Sequence, residues 1–420
     1  MQEFSYCDDE LMVEQLRLSD VAEQFGTPLY VYSKQSIIDH CRYIERAFEG
    51  YEHLTCYALK ANSNRALLKI IAGEKLGADV GSVGELHLAL TAGFPPAKIT
   101  FSGVGKRDDE IEYALEHDIF AFNVESREEI DVLNLLAGTL GKRARILLRV
   151  NLDIDAGGHA YVSTSLKRNK FGIGHTHVVE VLKWGQELPH IEVRGIHSHI
   201  GSQIIKVETF LAAARALSGL VKDLRSAGVP VRDLDFGGGF GVQYHGYVNH
   251  PQLPVEEPEE LNLSASTLVR AVIPLLKELG CRISIQPGRS IIAHAGVLLT
   301  KVLYRKVSEE KVFIVVDGGM NDLIRPSLYQ AHHQIVPLHV NGAAHEIVDV
   351  VGPVCESGDF FALDRQLPRV KRGDYLALMC AGAYGYVLSS NYNARPRPAE
   401  VLVDRNRVTI IRERETIQQL

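Results

Sequence analysis

The hydrophobic and polar positions of this chain change their period repeatedly from about residue 55 onward. Short apolar runs of the β type alternate with amphipathic stretches such as 64–77 and 207–228, where apolar residues recur every three or four positions before a glycine. Eight β-type runs are recognised: 55–60, 78–82, 98–103, 119–124, 144–151, 193–200, 231–238 and 281–287. Eight β–α units predict a (β/α)₈ TIM-type barrel. A doubly wound sheet is the alternative, because periodicity alone cannot close the ring.

A different rhythm begins after about residue 293. Strand-like segments such as "AGVLLTKVLYRKV" and "KVFIVVDGG" follow one another with few long helices between them. The pattern predicts a second, mainly β domain of sandwich or barrel-like form, which the N-terminal segment 16–33 helps to complete. We therefore expect a barrel over residues 34–292, and a β domain built from residues 1–33 and 293–420.

Composition and charge exclude several classes of function. The 420 residues are 46% hydrophobic with a net charge of −7, so no basic face for nucleic acid is expected. The first residues have no positive n-region followed by an apolar core, so no signal peptide is expected, and no apolar run is long enough to predict a membrane span. Six scattered cysteines without a C-x-x-C pair argue against a zinc site or a disulfide framework. The sequence thus predicts a cytoplasmic protein without a bound metal.

Polar side chains gather where the predicted barrel strands end, which is where barrel enzymes place their chemistry. Lys60 closes the first apolar run. A lysine in a barrel mouth can form an imine with a carbonyl compound once its pKa is lowered. A lysine at this place is more often a plain rim residue, so Lys60 needs support from other positions.

The glycine run "DFGGGFG" (235–241) follows the seventh predicted strand and supplies that support. Backbone N–H groups around Gly238 and Gly239 can cradle a phosphate, although tight packing produces the same pattern. With Ser202 after strand six and Arg289 after strand eight, phosphate becomes the better interpretation. An imine-forming lysine opposite a phosphate cradle indicates pyridoxal 5′-phosphate (PLP), and His199 could stack on its flat ring.

Six short motifs occur in an order that resembles a known family. They are "YALKAN", "HSHIGSQ", "DFGGGFG", "PGRS", "CESGD" and "GAYG". The chain is similar over nearly its whole length to the barrel-type PLP-dependent decarboxylases, with an alanine-racemase-like barrel, which include ornithine and diaminopimelate decarboxylases. Segments 319–333 and 353–362 resemble the diaminopimelate branch in particular.

The resemblance implies a role for each matching position. Lys60 would carry PLP, His199 would stack on it, and Cys355 would return a proton to the substrate. The implied cofactor-binding set is Lys60, Asp79, His199, Ser202, Gly238, Gly239, Gln286, Gly288, Arg289 and Tyr384. The implied substrate-binding set is Arg289, Arg325, Tyr329, Glu356 and Tyr384. The family also implies a homodimer in which the "CESGD" and "GAYG" segments complete shared active sites.

The implied substrate is a small amino acid, meso-2,6-diaminopimelate, which is converted to L-lysine in the last step of bacterial lysine biosynthesis. Its far end carries a carboxylate, for which Arg325, Tyr329 and Arg289 are suitable partners, and an ammonium group that could pair with Glu356. Ornithine has no second carboxylate to hold. The alternatives are a decarboxylase of ornithine, lysine, arginine or a carrier-bound amino acid, and a non-catalytic PLP-binding regulatory homologue.

Gln286 departs from the family pattern, in which a glutamate usually precedes "PGR" and keeps the pyridine nitrogen protonated. An amide has no charge with which to favour the protonated ring. We expect Gln286 to leave cofactor binding largely intact and to slow the carbanion step. A buried pair of Asp79 with Arg149 beneath the ring is a further possibility that the sequence leaves open.

Overall fold

The computed structural model describes residues 4–154, 170–256 and 264–420. By their contacts, the described residues divide into two compact units. The barrel unit is Cys41–Val242 with Leu263–Ser290, and the β unit is Met1–His40 with Gln243–Asn262 and Ile291–Leu420. This division assigns residues 34–40 and 243–256 to the β unit, whereas the domain boundaries expected from the sequence remain a prediction.

The strands of the described residues are numbered in chain order. They are β1 (Phe4–Cys7), β2 (Glu10–Val13), β3 (Leu16–Arg17), β4 (Leu29–Ser33), β5 (His53–Ala58), β6 (Gly77–Val80), β7 (Ile99–Phe101), β8 (Ala121–Val124), β9 (Ala144–Asn151), β10 (Ile173–Gly174), β11 (Ile191–His197), β12 (Asp233–Asp235), β13 (Arg282–Ile285), β14 (Gly296–Val307), β15 (Val312–Val316), β16 (Ile335–Pro337), β17 (His345–Val351), β18 (Phe360–Pro368), β19 (Tyr375–Leu378), β20 (Ala399–Asp404) and β21 (Arg407–Arg412).

The α-helices of the same residues are numbered likewise. They are α1 (Leu18–Phe25), α2 (Lys34–Arg46), α3 (Arg65–Gly73), α4 (Val83–Ala92), α5 (Asp108–Glu116), α6 (Arg127–Thr139), α7 (Val178–Glu187), α8 (Val207–Ser226), α9 (Ala265–Lys277), α10 (Arg289–Ile292) and α11 (Arg325–Tyr329).

The barrel unit is a closed ring of eight parallel strands. The pairing runs β5–β6–β7–β8–β9–β11–β12–β13 and returns from β13 to β5, with the two-residue β10 added beside β9. Its strands are buried along nearly their whole length, as in β9, where only Arg145 is partly exposed. Parallel strands covered on both faces read as continuous apolar runs. The predicted (β/α)₈ barrel is confirmed, and the doubly wound alternative is wrong.

Side-chain caps fix the N-termini of several of the helices that return the chain to the next strand. Asn64 precedes α3, and its side-chain oxygen accepts a hydrogen bond from the Ala66 N–H at 3.0 Å. Ser82, Ser126 and Ser264 cap α4, α6 and α9 in the same manner. Each cap satisfies an N–H that the first helical turn leaves without a partner. The caps therefore fix where each helix begins, and with it the length of the loop at the barrel mouth.

The β unit contains one large sheet and one small sheet. The large sheet has the order β18–β17–β15–β14–β4–β20–β21, with β19 paired to both β14 and β16. The N-terminal segment 16–33 supplies helix α1 and strand β4, and β4 lies between β14 and β20. Strands β1, β2 and β3 form the separate small antiparallel sheet. The second unit is therefore mainly β, as the sequence predicts.

The strand ends differ from the predicted ones at a position that matters for the site. The first predicted strand ends at Lys60, whereas β5 ends at Ala58 and Lys60 lies in a short 3₁₀ turn, Leu59–Ala61. The Ala58 N–H donates to the Pro287 carbonyl oxygen at 3.0 Å. This bond ties the end of β5 to the loop after β13, so the chain turns there and carries Lys60 out of the strand.

No helix among the described residues is both long enough and apolar enough to cross a membrane.

Gly195 on β11 provides a test of the barrel packing. A β-carbon there would lie 1.9 Å from the Asp233 carbonyl oxygen, at the point where the pairing with β9 shifts its register. We expect Gly195→Ala to lower the thermal melting temperature by about 5 °C or more, because the neighbouring strand backbone must move.

Gly219→Ala is the matched control, because Gly219 lies inside α8 and a β-carbon there would meet nothing within 4 Å. Alanine favours the helix over glycine, so this variant should melt at or slightly above the wild-type temperature. Equal melting temperatures for Gly195→Ala and the wild type would contradict the close approach of β11 and β12.

Candidate functional site

The barrel unit collects its polar side chains at the carboxyl ends of the strands. Lys60 follows β5, and its Nζ lies 3.9 Å from Oδ2 of Asp79 on β6. The Lys60 side chain is 54% exposed, whereas the Asp79 side chain is 2% exposed. Burial raises the pKa of Asp79, and the nearby Lys60 charge counteracts that rise. An accessible amine at the barrel mouth is within reach of a carbonyl compound, and the carboxyl group beside it is a proton donor or acceptor at short range.

Asp79 and Arg149 do not pair with each other. The Asp79 Oδ1 atom accepts hydrogen bonds from the hydroxyl groups of Ser102 and Thr100. Arg149 Nη1 instead lies 2.7 Å from Glu125 Oε1, and both of these side chains are buried. The possibility of an Asp79–Arg149 pair, which the sequence left open, is therefore wrong. Glu125 is the nearer carboxylate because it follows β8, the strand that pairs with β9 of Arg149.

Two histidines lie at the carboxyl end of β11: His197 is its last residue, and His199 lies two positions further on. His197 is buried, and neither of its ring nitrogens has a hydrogen-bond partner among the described residues. His199 is half-buried, and its Nδ1 accepts a hydrogen bond from the Gly238 N–H at 3.2 Å. Burial lowers the pKa of His199 well below its ordinary value, and the charges of Lys60 and Arg149 lower it further. The His199 ring is therefore neutral near pH 7.

The glycine loop after β12 lies in close contact with the backbone of the loop after β11 on one side and of the loop after β13 on the other. β-Carbons on Gly237, Gly238 and Gly239 would lie 2.1–2.2 Å from carbonyl oxygens of Ser198, Gln286 and Gly201 respectively. Gly237 and Gly239 also have φ values of +74° and +91°, which residues with a side chain rarely adopt. The loop thus needs glycine for packing. The Gly237 and Gly238 N–H groups already donate to Asp235 and His199, so the absence of a side chain would favour an anion chiefly at the half-buried Gly239.

Gln286 is buried just beyond β13, and its side chain contacts a second carboxyl group. Its Nε2 donates to Asp235 Oδ2 at 2.9 Å, and the Gly237 N–H donates to Asp235 Oδ1 at 2.8 Å. Burial raises the pKa of Asp235 to about 7. The barrel therefore holds a carboxyl group with a raised pKa in direct contact with Gln286.

The remaining predicted residues of the barrel unit lie on the same loops. Arg289 Nη2 donates to the Ser202 hydroxyl oxygen at 3.0 Å. A β-carbon on Gly288 would lie 3.0 Å from the Ala61 β-carbon, so the "PGR" loop packs against the turn that carries Lys60. The barrel mouth thus contains an amine, a neutral imidazole face, a side-chain-free glycine loop and an arginine–serine pair. These groups fit the aldehyde, the flat ring and the phosphate of PLP.

Apart from Arg289, the predicted substrate-binding residues lie on three segments of the β unit. Arg325 and Tyr329 begin and end the one-turn helix α11, Arg325 being buried and Tyr329 half-buried. Tyr384 is half-buried beyond β19 and has a φ of +56°. Cys355 and Glu356 are exposed, and Glu356 accepts a hydrogen bond from the Tyr392 hydroxyl group at 2.6 Å.

Asp359 ties two of these segments together. Its carboxylate accepts hydrogen bonds from the backbone N–H groups of Met320 and Val354, both at 2.6 Å. The Ser327 hydroxyl group also donates to the Gly358 carbonyl oxygen at 2.6 Å. The turn that bears Cys355 and Glu356 is thereby held against the segment that leads into α11.

Sequence reasoning missed several residues that shape the site: Glu125, Asp235, Asp359 and His333. The first three are buried carboxyl groups at or just beyond strand ends or within motifs already recognised, and the Asp of "DFGGG" and "CESGD" was the available signal. His333 stands in segment 319–333 and contacts Arg325 across eight positions. A search for polar residues inside the recognised motifs would have found three of the four.

Comparisons with known proteins agree with this fold and this set of residues. The family described as "Pyridoxal-dependent decarboxylase, pyridoxal binding domain" matches residues 34–293 of the chain. That match covers all eight barrel strands, together with every barrel-unit residue discussed above. The class that the fold and the site define is that of the PLP-dependent decarboxylases.

Individual relatives indicate which branch of the family the chain belongs to. It is 47% identical to a diaminopimelate decarboxylase of Pseudomonas aeruginosa over 420 residues, which is 100% of this chain and 98% of the relative. The structure of the Helicobacter pylori diaminopimelate decarboxylase complexed with L-lysine is 39% identical, with a TM-score of 0.88 over 96% of this chain and 98% of that chain. The corresponding M. jannaschii structure with L-lysine is 35% identical, with a TM-score of 0.90 over 99% and 96%. The chain therefore belongs to the pyridoxal-dependent decarboxylases, in the branch that contains the diaminopimelate decarboxylases.

The raised pKa of Asp235 predicts a pH dependence of stability. In the unfolded chain this carboxyl group ionises near its ordinary pKa of 3.8, whereas the fold raises the value to about 7. Between these values the folded chain keeps a proton that the unfolded chain has lost, so stability falls as pH rises and levels off above about pH 7. An asparagine at this position has no proton to lose.

We expect the melting temperature of the wild type, minus that of Asp235→Asn, to decrease from about pH 4 to about pH 7 and then to stay constant. Asp322, whose pKa is also raised to about 7, is present in both proteins, so the difference isolates Asp235. A difference that does not change with pH would show that Asp235 is ionised throughout this range.

Proposed function

We propose that this protein decarboxylates meso-2,6-diaminopimelate to L-lysine and CO₂ with PLP as cofactor. The observation that carries the proposal is the buried guanidinium of Arg325, one helical turn from Tyr329. A buried arginine is suited to the second carboxylate of a diamino diacid, which ornithine lacks. The similarity to diaminopimelate decarboxylases over the whole chain supports the same substrate.

The barrel unit would supply most of the cofactor-binding residues, and the β unit would supply Tyr384. Lys60 would bind its aldehyde carbon, His199 would cover one ring face, and Asp79 would lie beside the lysine. The phosphate would be held by the glycine loop and its neighbours: Ser202, Gly238, Gly239, Gly288, Arg289 and Tyr384. When bound, PLP provides the electron sink for the pair of electrons that departing CO₂ leaves behind.

The electrostatics of the barrel mouth suit this assignment. The lowered pKa of His199 keeps its ring neutral, so the ring can lie against an aromatic face without adding a positive charge. Its Nδ1 is already engaged by the Gly238 N–H, which fixes the ring orientation relative to the phosphate loop. Asp79 gains its negative charge most easily when Lys60 is protonated, because that charge lowers its pKa. The lysine and the carboxyl group can thus exchange a proton as the amine binds and releases its partner.

The β unit would recognise the far end of the substrate. Arg325 and Tyr329, with Arg289, would bind the distal carboxylate, and Glu356 would pair with the distal ammonium group. Tyr384 would contact the substrate as well as the phosphate. Two of these groups differ in exposure, Arg325 being buried and Glu356 exposed. The carboxylate would therefore meet a preorganised partner, while the ammonium group would meet one that can adjust.

Cys355 would return a proton to the substrate carbon after CO₂ has left. Its thiol is exposed, and its backbone N–H donates to Asn393 Oδ1 at 3.0 Å, which anchors the turn. An accessible thiol on an anchored turn can approach a substrate and can regain its proton from water. The acid would therefore be renewed after each turnover.

The proposal includes a homodimer whose "CESGD" and "GAYG" segments complete shared active sites, and a location in the cytosol. The exposure of Cys355 and Glu356 on one chain supports the dimer, because catalytic and substrate-binding groups are usually covered in the working site. All six cysteines are free thiols, and two of them are exposed, which supports a reducing compartment.

The direct test is product analysis after incubation of the holoenzyme with meso-2,6-diaminopimelate. We expect stoichiometric L-lysine and CO₂ from the wild type, and a loss of about 10⁴-fold or more in Lys60→Ala, which lacks the amine that binds the cofactor. Lys69→Ala, on the outer helix α3, is the matched control and should retain full activity.

A substrate panel separates the alternatives. CO₂ from ornithine, lysine or arginine at a higher kcat/KM than from diaminopimelate would assign the protein to another basic amino acid. Carrier-bound amino acids are tested in the same way. A cofactor absorbance band that shifts with diaminopimelate while no CO₂ appears would instead support a non-catalytic regulatory protein.

Gln286 gives a second prediction about the chemical step. A glutamate there would bring a negative charge to the barrel mouth, beside the Asp235 carboxyl group that Gln286 now contacts. We expect Gln286→Glu to release CO₂ faster in a single turnover, because a carboxylate favours the protonated pyridine ring and so strengthens the electron sink. Gln286→Met, which has similar size but no charge, is the control and should not be faster. An unchanged or lower rate for Gln286→Glu would contradict this prediction.

A further inference from the structure

Arg325 is held from two directions inside the β unit. Its Nη1 lies 2.7 Å from Nε2 of His333, and its guanidinium carbon lies 4.7 Å from the centre of the Tyr244 ring. All three side chains are buried, with Arg325 only 5% exposed and His333 fully covered. The His333 ring also meets the Tyr244 ring edge-on at 5.3 Å. The guanidinium is therefore fixed in its plane by an imidazole and across its face by a phenol ring.

The hydrogen-bond pattern assigns the tautomer of His333. Its Nδ1 lies 2.8 Å from the Met379 carbonyl oxygen, which can only accept, so Nδ1 must carry the hydrogen. Nε2 faces an arginine N–H, which can only donate, so Nε2 must present its lone pair. Both contacts are satisfied together only by the neutral ring. A protonated ring would direct an N–H at the guanidinium.

The backbone around His333 is anchored as well. The Gln334 side chain exchanges two hydrogen bonds of 2.8 Å with the Val248 backbone. The Met379 N–H donates to the Gln334 carbonyl oxygen at 2.8 Å, and Arg365 Nη1 donates to the His333 carbonyl oxygen at 3.0 Å. His333 is thus a rigid acceptor rather than a mobile one, and its position sets that of the arginine.

Given the function proposed above, we propose that His333 is a positioning residue, which orients Arg325 toward the distal carboxylate of the substrate through a neutral ring nitrogen. A carboxylate partner would orient an arginine equally well but would cancel its charge. A neutral acceptor such as the His333 ring takes one of the five N–H donors without adding a negative charge beside the guanidinium. His333 therefore acts on substrate affinity through Arg325, without touching the substrate.

Two variants separate the two ring nitrogens. His333→Asn keeps a donor near the Nδ1 position for the Met379 carbonyl oxygen but removes the acceptor for Arg325. His333→Gln keeps an acceptor near the Nε2 position and loses the donor. His339→Asn is the matched control, since the His339 side chain is 57% exposed and bonded to Glu10 at the surface of the same unit.

Two ligands separate positioning from a general loss of structure. L-lysine retains the distal carboxylate of the substrate, whereas 1,5-diaminopentane is the same molecule without that carboxylate. Calorimetric titration of each holoenzyme should show that His333→Asn lowers the affinity for L-lysine by about 10- to 100-fold. The affinity for 1,5-diaminopentane should change by less than about threefold, because that ligand has no carboxylate for Arg325 to bind. His333→Gln and His339→Asn should stay within about fivefold of the wild type for both ligands.

Each other outcome overturns the inference. An equal loss of affinity for both ligands in His333→Asn would assign His333 a purely structural role. Failure of both His333 variants to fold would do the same. Unchanged L-lysine affinity in a folded His333→Asn, in an enzyme that produces L-lysine from diaminopimelate, would remove the positioning role and leave the proposed function standing. A wild type that neither binds L-lysine nor forms it would overturn both proposals.

Discussion

The close approach of the Gly237–Gly239 loop to its two neighbours is the constraint on which the candidate site depends. This loop lies against the carbonyl groups of Ser198 and Gly201 on one side and of Gln286 on the other, at distances that exclude any side chain. The loops after β11, β12 and β13 therefore cannot move independently. Because the loop after β13 is in turn bonded to the end of β5, the turn that carries Lys60 is part of the same rigid assembly. A preorganised site of this kind is what transition-state stabilisation requires.

The two units contribute different chemistry. The barrel unit has buried carboxyl groups with raised pKa values, Asp79 and Asp235, beside an accessible lysine and a neutral imidazole. Asp235, whose pKa is raised to about 7, can hold or exchange a proton near neutral pH. The β unit instead contributes Arg325, whose held geometry suits recognition of a carboxylate. The proposed roles are nevertheless shared, because the proposed proton donor Cys355 lies in the β unit and the proposed substrate-binding Arg289 lies in the barrel unit.

The sequence predicted the architecture well because a parallel barrel repeats one pattern eight times. Periodicity located every barrel strand within a few residues, and the polar residues at their ends marked the mouth. It missed β1, β2, β16, β18 and β21 of the β unit: β16 has only three residues, and the polar "LDRQ" interrupts the apolar run of β18. It also could not pair Gln286 with Asp235, which lie 51 positions apart, or Arg149 with Glu125 rather than Asp79. Such pairs depend on which strands are neighbours and how far each side chain reaches, and neither is encoded locally.

The carboxylate of Asp359 has a consequence for attempts to alter substrate choice. It bonds at once to the segment that leads into α11 and to the turn that bears Cys355, and a β-carbon on Gly352 would lie 2.4 Å from it. The two segments are therefore structurally coupled through one carboxylate. A graft that imports one of them from a relative with a different preference would separate the donors from their shared acceptor. Recombination aimed at new specificity should exchange residues 319–329 and 352–359 together.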